Sequence, residues 1–246
     1  MKAVIISDIH GRSTWKEVIY KKDNDGDILE CNVGKTFDKA IFLGDYVDSF
    51  NISNVEILQN LKEIINLKEE YPDNITLLLG NHDVAYLYNE MCSGYRPEIA
   101  HDIYDILKKN IELFQIAFQK NNVILTHAGI HKGWWEYYAL PIIEGKIKTR
   151  YTPFFILCNN IADQLNLMQE FNEPILRMCG HDRGGSDKIG GPLWVDKSTL
   201  YKKPLQNFHQ IVGHSVIKNI KEFDFGNGTK LTFTDCINEE FYYLNV

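Results

Sequence analysis

The chain of 246 residues lacks the long apolar runs of a membrane protein. Its longest apolar stretches, such as 75–79, are far shorter than the roughly 20 residues that a membrane-spanning helix needs. The short apolar stretch after Met1 runs directly into Asp8, so we interpret it as a strand of the mature fold and not as a signal peptide. We therefore expect no membrane partner.

Cysteine pairs are missing as well. The cysteines are odd in number, widely spaced and without a C-x-x-C motif; they are Cys31, Cys92, Cys158, Cys179 and Cys236. This pattern excludes a disulfide scaffold and a zinc ribbon. It indicates reduced, partly buried thiols, which are typical of a cytoplasmic protein.

The chain has no surplus of basic residues and few arginines. It carries 26 basic and 33 acidic residues, for a net charge of -7, and this balance disfavours nucleic acid as a partner. The arginines are Arg12, Arg96, Arg150, Arg177 and Arg183, which leaves 21 lysines. Because the planar guanidinium binds phosphate in a bidentate manner, a phosphate site has few arginine candidates here.

Low-complexity tracts and internal repeats are absent too. The composition is 44% hydrophobic, 24% charged and 12% aromatic, which excludes a disordered chain and a coiled coil and allows a large core. The length fits one large domain or two small ones. We expect a single domain over 1–246, with a helical excursion at about 134–183 over the rim of the functional site.

Short apolar runs followed by polar clusters recur along the chain. The runs are 3–7, 40–43, 75–79, 123–126 and 210–212. Continuous apolar runs of this length predict strands that are buried on both faces. Helical spacing predicts helices over 55–70, 99–109 and 153–168. The alternation of strands and helices predicts a layered α/β fold.

The C-terminal part has a different pattern. Residues 223–225 and 231–233 flank the turn sequence Gly226-Asn227-Gly228, which predicts a β-hairpin. A last strand is predicted at about 240–244. We therefore expect a mixed sheet at this end of the chain.

The polar clusters after the predicted strands contain side chains that bind metals. They supply Asp8 and His10, Asp45, Asn81 with His82, His127, and His214. In open α/β sheets, ligands bind beyond the carboxyl ends of the strands. A single Asp or His after a strand is usually a cap or a loop residue, but five such clusters with adjacent glycines predict one shared site. Histidine with carboxylate suits manganese, iron or zinc.

In these residues the chain resembles the calcineurin-like metallophosphoesterases, whose ordered signature is D-x-H, G-D-x-x-D, G-N-H-[DE], H and G-H. The blocks are Asp8-Ile9-His10, Gly44-Asp45-Tyr46-Val47-Asp48, Gly80-Asn81-His82-Asp83, His127 and Gly213-His214. The first two blocks are most similar to the phosphoprotein-phosphatase branch, which includes bacterial and phage enzymes and the dinucleoside polyphosphate hydrolases. The resemblance implies a four-layer α-β-β-α sandwich with two mixed β-sheets.

The resemblance also implies a role for each matched residue. The site would hold two divalent ions, with Mn2+ as the first choice and Fe, Zn or Ni as alternatives. The ligands would be Asp8 and His10, Asp45 as a bridge, and Asn81, His127 and His214. His82 would be the general acid that protonates the leaving-group oxygen, and Asp48 would orient it. A metal-bound hydroxide would be the nucleophile, so no covalent intermediate is required.

One block departs from the family. The phosphoprotein-phosphatase branch continues the second block as Asp-Arg-Gly, with an arginine that contacts phosphate, whereas this chain has Asp48-Ser49-Phe50. The later segment Gly180-His181-Asp182-Arg183-Gly184-Gly185 is similar to a block in which an arginine binds phosphate. We therefore predict Arg183 as a substrate-binding residue and Arg12, beside the first metal motif, as a second one.

The acidic run 23–27 resembles a calcium-binding loop only superficially. Counting from Gly26 places Lys21 at the first ligand position and Asn32 at the twelfth, where a calcium loop needs glutamate. We expect an acidic turn there.

Other histidines and aromatic residues have ordinary explanations. His131 follows His127 by four residues but lies beyond the end of a strand, so we expect it at the rim of the site. His101 is predicted to be solvated. We expect His181 to be a polar loop residue, and contact with the substrate is the alternative. For the aromatic cluster 134–138 we expect core packing, with a stacking wall for a nucleobase as the alternative.

The sequence thus predicts a cytoplasmic dinuclear-metal phosphatase that hydrolyses phosphomonoesters, with phosphoserine or phosphothreonine in proteins as substrates. An alternative enzyme activity is hydrolysis of dinucleoside polyphosphates or of another nucleotide phosphoester. A third hypothesis is a non-catalytic scaffold of the same fold. The presence of His82 and of every metal ligand argues against the scaffold.

Overall fold

The computed structural model describes residues 1–236 and 240–246. Its internal contacts divide the chain into two compact units, which are Met1–Phe114 with Ile237–Val246, and Gln115–Cys236. We refer to them as the first and the second unit. A single domain over 1–246 stays a prediction.

The secondary-structure elements are numbered in chain order within these described residues. The strands are β1 (Lys2–Ile6), β2 (Tyr20–Lys22), β3 (Ile28–Cys31), β4 (Lys39–Phe42), β5 (Ile75–Leu78), β6 (Phe114–Gln115), β7 (Ala117–Lys120), β8 (Val123–Thr126), β9 (His209–Val212), β10 (Lys221–Gly226), β11 (Thr229–Phe233) and β12 (Tyr242–Asn245). The α-helices are α1 (Trp15–Ile19), α2 (Asn54–Glu70), α3 (Asn81–Tyr88), α4 (Ala100–Lys109), α5 (Lys132–Trp134), α6 (Leu140–Ile143), α7 (Ile161–Glu170) and α8 (Lys197–Lys202).

The first unit contains a mixed sheet whose described strands have the order β12-β1-β4-β5-β6. Strands β1, β4 and β5 run parallel to one another, and β12 is antiparallel to β1. The apolar runs 3–7, 40–43 and 75–79 are confirmed as strands, and nearly all of their side chains are buried. Because parallel strands end at the same edge of a sheet, the polar residues after them share one edge.

The predicted helix over 55–70 is confirmed as α2. The Ser53 hydroxyl accepts a hydrogen bond from Glu56 N at 3.3 Å, and Glu56 Oε2 accepts one from Ser53 N at 3.0 Å. This reciprocal capping box satisfies two backbone donors that a helix start otherwise leaves without partners. Residues one turn apart, such as Ile57 and Leu61, are fully buried and form the apolar face of the helix.

The other helices of the first unit frame the functional residues. The helix predicted over 99–109 is confirmed as α4, with a 3-10 turn over Pro97–Ile99 before it. Helix α3 begins directly after β5 and was not predicted, since its first residues belong to the G-N-H-D block. The acidic run 23–27 is confirmed as a turn between β2 and β3, in which Asp23 Oδ1 accepts hydrogen bonds from the backbone N–H groups of Asp25 and Asp27.

The second unit contains another mixed sheet, with the order β10-β11-β9-β8-β7 among the described strands. Strands β8, β9 and β11 are parallel, whereas β7 and β10 are antiparallel to their neighbours. The predicted hairpin is therefore confirmed as β10 and β11, and the predicted strands 123–126 and 210–212 as β8 and β9. The α/β class and the two mixed sheets agree with the fold that the resemblance implies.

The helix predicted over 153–168 is wrong in its extent. Residues Thr152–Leu157 form a 3-10 helix, and α7 begins only at Ile161. The side chain of Asn160 accepts a hydrogen bond from Asp163 N at 2.9 Å and so caps a new helix at that point. A cap of this kind satisfies the first N–H groups of a helix. A new helix therefore begins after Asn160, and the preceding 3-10 helix does not continue into it.

The remaining expectations about the fold concern segment 134–183, the thiols and the membrane. The described elements within 134–183 are helical, and their position over the rim of the site stays a prediction. The five cysteines, all in the described ranges, form no disulfide and are buried or half-buried. Across the same ranges, no helix combines the length and the apolar character that crossing a bilayer requires.

Candidate metal centre

Several predicted site residues have a left-handed backbone conformation. In the first unit, φ is 33° at Asp8, 46° at His10, 54° at Asp45 and 63° at Asp48; in the second unit it is 64° at His214. Such values cost residues other than glycine about 1–3 kcal/mol and are concentrated at functional sites. The backbone of both units is therefore strained at several of the predicted site residues.

Strands β4 and β5 end so close together that both need glycine. A Cβ atom at Gly44 would lie 2.3 Å from Gly80 N, and one at Gly80 would lie 2.1 Å from Asp45 Oδ1. Gly44 also has a φ of +103°, which side chains rarely allow. The two glycines thus let Asp45 lie against the start of α3, where His82 N donates a hydrogen bond to Asp45 Oδ1 at 2.9 Å.

A buried carboxylate, Asp83, ties these two strand ends together. Its Oδ2 accepts hydrogen bonds from Asp45 N and Gly80 N, both at 2.8 Å, and its Oδ1 accepts one from Tyr46 N at 2.9 Å. Burial and the nearby Asp45 carboxylate raise the pKa of Asp83, and the three backbone donors oppose that rise. No role was predicted for Asp83, although it is the fourth residue of the G-N-H-D block.

Three predicted residues of the first unit form a group that can hold a metal ion. His10, Asp45 and His82 each offer one ligand atom, and these atoms lie within 4.8 Å of one another. His10 Nε2 is 3.8 Å from Asp45 Oδ2. His10 Nδ1 lies 3.1 Å and 2.9 Å from the carbonyl oxygens of Val47 and Asp48, so Nδ1 carries the proton. This tautomer leaves the lone pair of His10 Nε2 to a metal.

Asp8 and Asn81 are the other predicted ligands of this unit, and both are buried. Asp8 Oδ2 accepts a hydrogen bond from the Ser7 hydroxyl. Asn81 Nδ2 lies 3.7 Å from Cys92 Sγ. Because the amide nitrogen faces the thiol, the amide oxygen of Asn81 is the atom left to bind a metal. Burial raises the pKa of Cys92 to about 12, so its thiol stays protonated.

His82 is held by Asp48. Its Nδ1 lies 2.8 Å from Asp48 Oδ2, and Asp48 Oδ1 accepts a hydrogen bond from the Tyr86 hydroxyl. Burial alone would lower the pKa of His82, but the carboxylates of Asp45 and Asp48 outweigh burial and raise it to about 9. The charges of the group therefore favour a protonated imidazole, which a general acid requires.

The loop that departs from the family's Asp-Arg-Gly block is held by Arg96. The guanidinium donates from Nε and Nη2 to the carbonyl oxygen of Ser49, from Nη2 to that of Ile52 at 3.1 Å, and from Nη1 to Asn54 Oδ1 at 2.9 Å. Arg96 N also donates to the Tyr86 hydroxyl at 2.8 Å. Arg96 was not predicted as a functional residue. The available signal in the sequence was that arginine is rare in this chain, which has five.

In the second unit, the predicted ligands His127 and His214 form a pair. His127 Nε2 lies 3.1 Å from His214 Nδ1, and Gly213 N donates to the carbonyl oxygen of His127 at 2.8 Å. Two imidazole nitrogens bound to one ion at about 2.1 Å are about 3.0–3.4 Å apart in octahedral or tetrahedral geometry. The observed separation fits two ligands of one ion.

Arg183 lies beside the residue that follows His214. It ends a 3-10 helix over His181–Arg183, donates a hydrogen bond from Nη2 to Ser215 Oγ, and places Nε 3.0 Å from Asp196 Oδ2. The second predicted arginine, Arg12, donates from Nη2 to the backbone carbonyl of Asp8 at 2.7 Å. Each arginine is thus anchored next to a predicted metal ligand of its own unit.

The remaining candidates have roles outside the metal ligands. His131 is buried, not at a rim, and its Nδ1 accepts the hydrogen bond from Gly133 N at 3.0 Å that caps α5. His101 is 86% exposed, as predicted. In the aromatic cluster, Trp134 is fully buried in the core, whereas Tyr137 is 70% exposed.

The chain is similar to known proteins in sequence and in fold. A family model described as calcineurin-like phosphoesterase matches residues 1–217. The chain is also similar to the solved structure of a cold-active protein-tyrosine phosphatase from a psychrophilic Shewanella species, with 16% identity, a TM-score of 0.57 and coverage of 97% of this chain and 72% of that chain. Another structure of a cold-active protein tyrosine phosphatase has 16% identity, a TM-score of 0.53 and coverage of 97% and 70%.

At identities this low, structural similarity establishes only the fold. The assignment of the chain to a family therefore rests on the family model. That model spans all five signature blocks, and His10, Asp45 and His82 of the first unit lie close enough together to hold a metal ion. The chain therefore belongs to the calcineurin-like metallophosphoesterase family and is a metal-dependent phosphoesterase.

Proposed function

We propose that this enzyme is a dinuclear-metal phosphatase that hydrolyses phosphomonoesters, with phosphoserine or phosphothreonine in proteins as its substrates. The observation that carries the proposal is the His82–Asp48 pair beside Asp45. It places a carboxylate able to bridge two ions beside an imidazole that Asp48 holds in position as a proton donor. We also propose a cytoplasmic location, which five thiols without a disulfide support.

The donor set fits two divalent ions, of which Mn2+ is our first choice. The proposed ligands are Asp8, His10 and Asp45 for one ion, and Asp45, Asn81, His127 and His214 for the other. Carboxylate, amide and imidazole donors together suit manganese or iron better than a softer metal. When bound, the two ions would polarise the phosphoryl oxygens and lower the pKa of the attacking water.

The chain's own residues would do the remaining work. His82 would donate its proton to the leaving-group oxygen, while Asp48 keeps the imidazole oriented. Arg183 and Arg12 would bind the phosphoryl oxygens, whose negative charge persists through the transition state. An aliphatic alkoxide is a more basic leaving group than a phenolate, so a positioned acid matters most for phosphoserine and phosphothreonine.

A dinucleoside polyphosphate or another nucleotide phosphoester is the second candidate substrate. Phosphotyrosine is included as a third, because the chain is similar in fold to the Shewanella protein-tyrosine phosphatase. A panel assay of the manganese-loaded enzyme separates them, with phosphoserine, phosphothreonine and phosphotyrosine peptides, bis-phosphodiesters and diadenosine polyphosphates as substrates. We expect the highest kcat/KM on the phosphoserine or phosphothreonine peptides; faster hydrolysis of diadenosine polyphosphate would reject the proposal.

The His82→Ala variant tests the mechanism. We expect kcat on a phosphoserine peptide to fall about 10²–10⁴-fold, the usual contribution of a positioned proton donor, with metal content unchanged. On p-nitrophenyl phosphate, whose leaving group needs little protonation, the loss should be much smaller. The exposed His101→Ala is the matched control and should behave as wild type. Equal losses of His82→Ala on both substrates would show that His82 is not the general acid.

A further inference from the structure

The second unit contains a cleft of about 600 Å³ whose lining includes none of the proposed metal ligands. The lining comes from the segment around α5, from residues 188–189, from the end of α8 and the chain after it, and from the turn between β10 and β11. We call it the lysine cleft, after Lys132, Lys188, Lys202 and Lys203 in its lining. A volume of this size is typical of sites for small molecules and cofactors.

The lysine cleft is positively charged in a chain whose net charge is -7. Among the residues that line it, the four lysines face a single carboxylate, Glu136. Lys132 Nζ lies 3.7 Å from Glu136 Oε1 and 3.4 Å from Gln206 Oε1. The lining therefore has an excess of three positive charges, and like charges gathered around one cavity attract an anion.

A neutral histidine lies among these lysines. His131 Nδ1 accepts a hydrogen bond from Gly133 N, so Nε2 carries the ring proton. Burial first, and then the ammonium of Lys203, lower the pKa of His131. The lining therefore contains a neutral imidazole and not a fifth positive charge.

Two exposed aromatic rings stand beside the charges. Tyr137 is 70% exposed and Phe225 is 40% exposed, and both line the cleft. The face of such a ring can stack on a planar group such as a nucleobase. Tyr137 belongs to the aromatic cluster for which the sequence left a nucleobase-stacking role open.

We infer that the lysine cleft binds a nucleotide with at least two phosphate groups. The lysines would bind the phosphates as point charges, and Tyr137 or Phe225 would stack on the base. A nucleotide combines several negative charges with a planar ring, as the lysines and the exposed rings of this cleft require. The inference does not rest on the proposed phosphatase activity, because the lysine cleft contains none of the residues placed in that mechanism.

Calorimetry with β,γ-methylene-ATP, which resists hydrolysis between its terminal phosphates, tests the site on the metal-loaded enzyme. We expect Lys188→Glu and Lys202→Glu each to raise the Kd about tenfold or more, as the loss of a charge-assisted contact does. Lys148→Glu makes the same charge change at an exposed residue of the same unit outside the cleft, and should leave the Kd unchanged. An equal loss in Lys148→Glu would overturn the inference.

The ring is tested with Tyr137→Ala against Tyr104→Ala, a partly exposed tyrosine on α4. Tyr137→Ala should raise the Kd of the nucleotide about fivefold or more and leave the Kd of inorganic triphosphate unchanged. Tyr104→Ala should change neither. Triphosphate that binds wild type as tightly as the nucleotide does would overturn the assignment of a nucleotide.

Photocrosslinking locates the bound nucleotide. After irradiation with 8-azido-ATP, we expect the label in the peptides that contain Tyr137 or Phe225, and the same labelling in His82→Ala. A label confined to peptides of the proposed metal ligands would show that the nucleotide binds at the catalytic site, and would overturn the inference without touching the proposed phosphatase activity.

Discussion

The Tyr86 hydroxyl donates a hydrogen bond to Asp48 Oδ1, the carboxylate oxygen that does not face His82. Asp48 is buried, so both of its oxygens are engaged by protein groups. Tyr86 in turn stacks on Tyr95, with ring centroids 4.5 Å apart. The orientation of the proposed general acid therefore depends on a tyrosine outside the metal-binding blocks.

The first prediction concerns this tyrosine. In Tyr86→Phe the stacked ring stays in place, but Asp48 loses one of its two contacts and holds His82 less firmly. We expect kcat on a phosphoserine peptide to fall several-fold, because the loss of one hydrogen bond costs about 1 kcal/mol. KM and metal content should change little.

The control for this variant is Tyr95→Phe, which removes a hydroxyl from the adjacent stacked ring. It should leave kcat unchanged. The defect of Tyr86→Phe should also shrink on p-nitrophenyl phosphate, because the lost contact to Asp48 weakens the proton transfer by His82, which that substrate needs little. A uniform loss on all substrates would indicate that Tyr86 supports the fold and not the acid.

The second prediction concerns metal binding. Asp45→Asn keeps the size of the side chain but removes the negative charge that both proposed ions share, so we expect loss of bound metal together with activity. Elemental analysis of protein purified after loading with Mn2+ measures the number of ions per chain. Two ions per chain in Asp45→Asn would contradict the bridging role.

The third prediction ranks the two arginines. Arg183→Ala should raise KM and lower kcat/KM about 10–100-fold, as expected for a lost charge-assisted hydrogen bond, with metal content unchanged. Arg12→Ala should have a smaller effect, because Asp8 and His10 fix the direction of this loop and leave the Arg12 side chain less freedom to reach the substrate.

Steady-state kinetics on one phosphomonoester measure this ranking. Arg150→Ala is the control, since Arg150 is exposed and lies over the ring of Phe171, 5.4 Å from its centroid. Wild-type behaviour of Arg183→Ala, combined with a severe defect in Arg12→Ala, would reverse the assignment of the phosphate ligand.

The fourth prediction concerns the pH dependence of stability. Burial and Lys203 hold the pKa of His131 in the folded protein below its unfolded value of about 6.5. The folded state therefore binds fewer protons than the unfolded state, so His131 contributes stability above pH 6.5 that is lost as the pH falls toward its folded pKa. Protonation would also remove the acceptor that caps α5.

Urea denaturation at several pH values between 7 and 5 measures this contribution. In His131→Asn the side chain keeps a capping oxygen but does not titrate, so the free energy of unfolding should fall less steeply with decreasing pH than in wild type. His209 also has a lowered pKa and leaves a residual slope. His101→Asn, at an exposed position, should show the wild-type slope; an unchanged slope in His131→Asn would contradict the prediction.

Much of the fold could be predicted from local patterns in the sequence. Strands β1, β4, β5, β8 and β9 were predictable because an apolar run followed at once by polar residues and glycine is a signal within a few residues. The helix predicted over 153–168 was wrong because the cap by Asn160 competes with continuation of the same apolar spacing. Strand β12 was predicted as a strand, but its pairing with β1 joins the two ends of the chain, which no local pattern encodes.

The sequence by itself determined which residue types follow each strand, and so the chemistry of the donors: carboxylate, imidazole and amide after glycine-flanked turns. Only the tertiary structure decided how these side chains are oriented. The contacts that orient His82 and the loop after Asp48 join residues 34 to 47 positions apart. Tautomer, carboxylate rotation and left-handed backbone are set by such contacts, because each depends on a partner that only the packed strand ends bring within hydrogen-bonding distance.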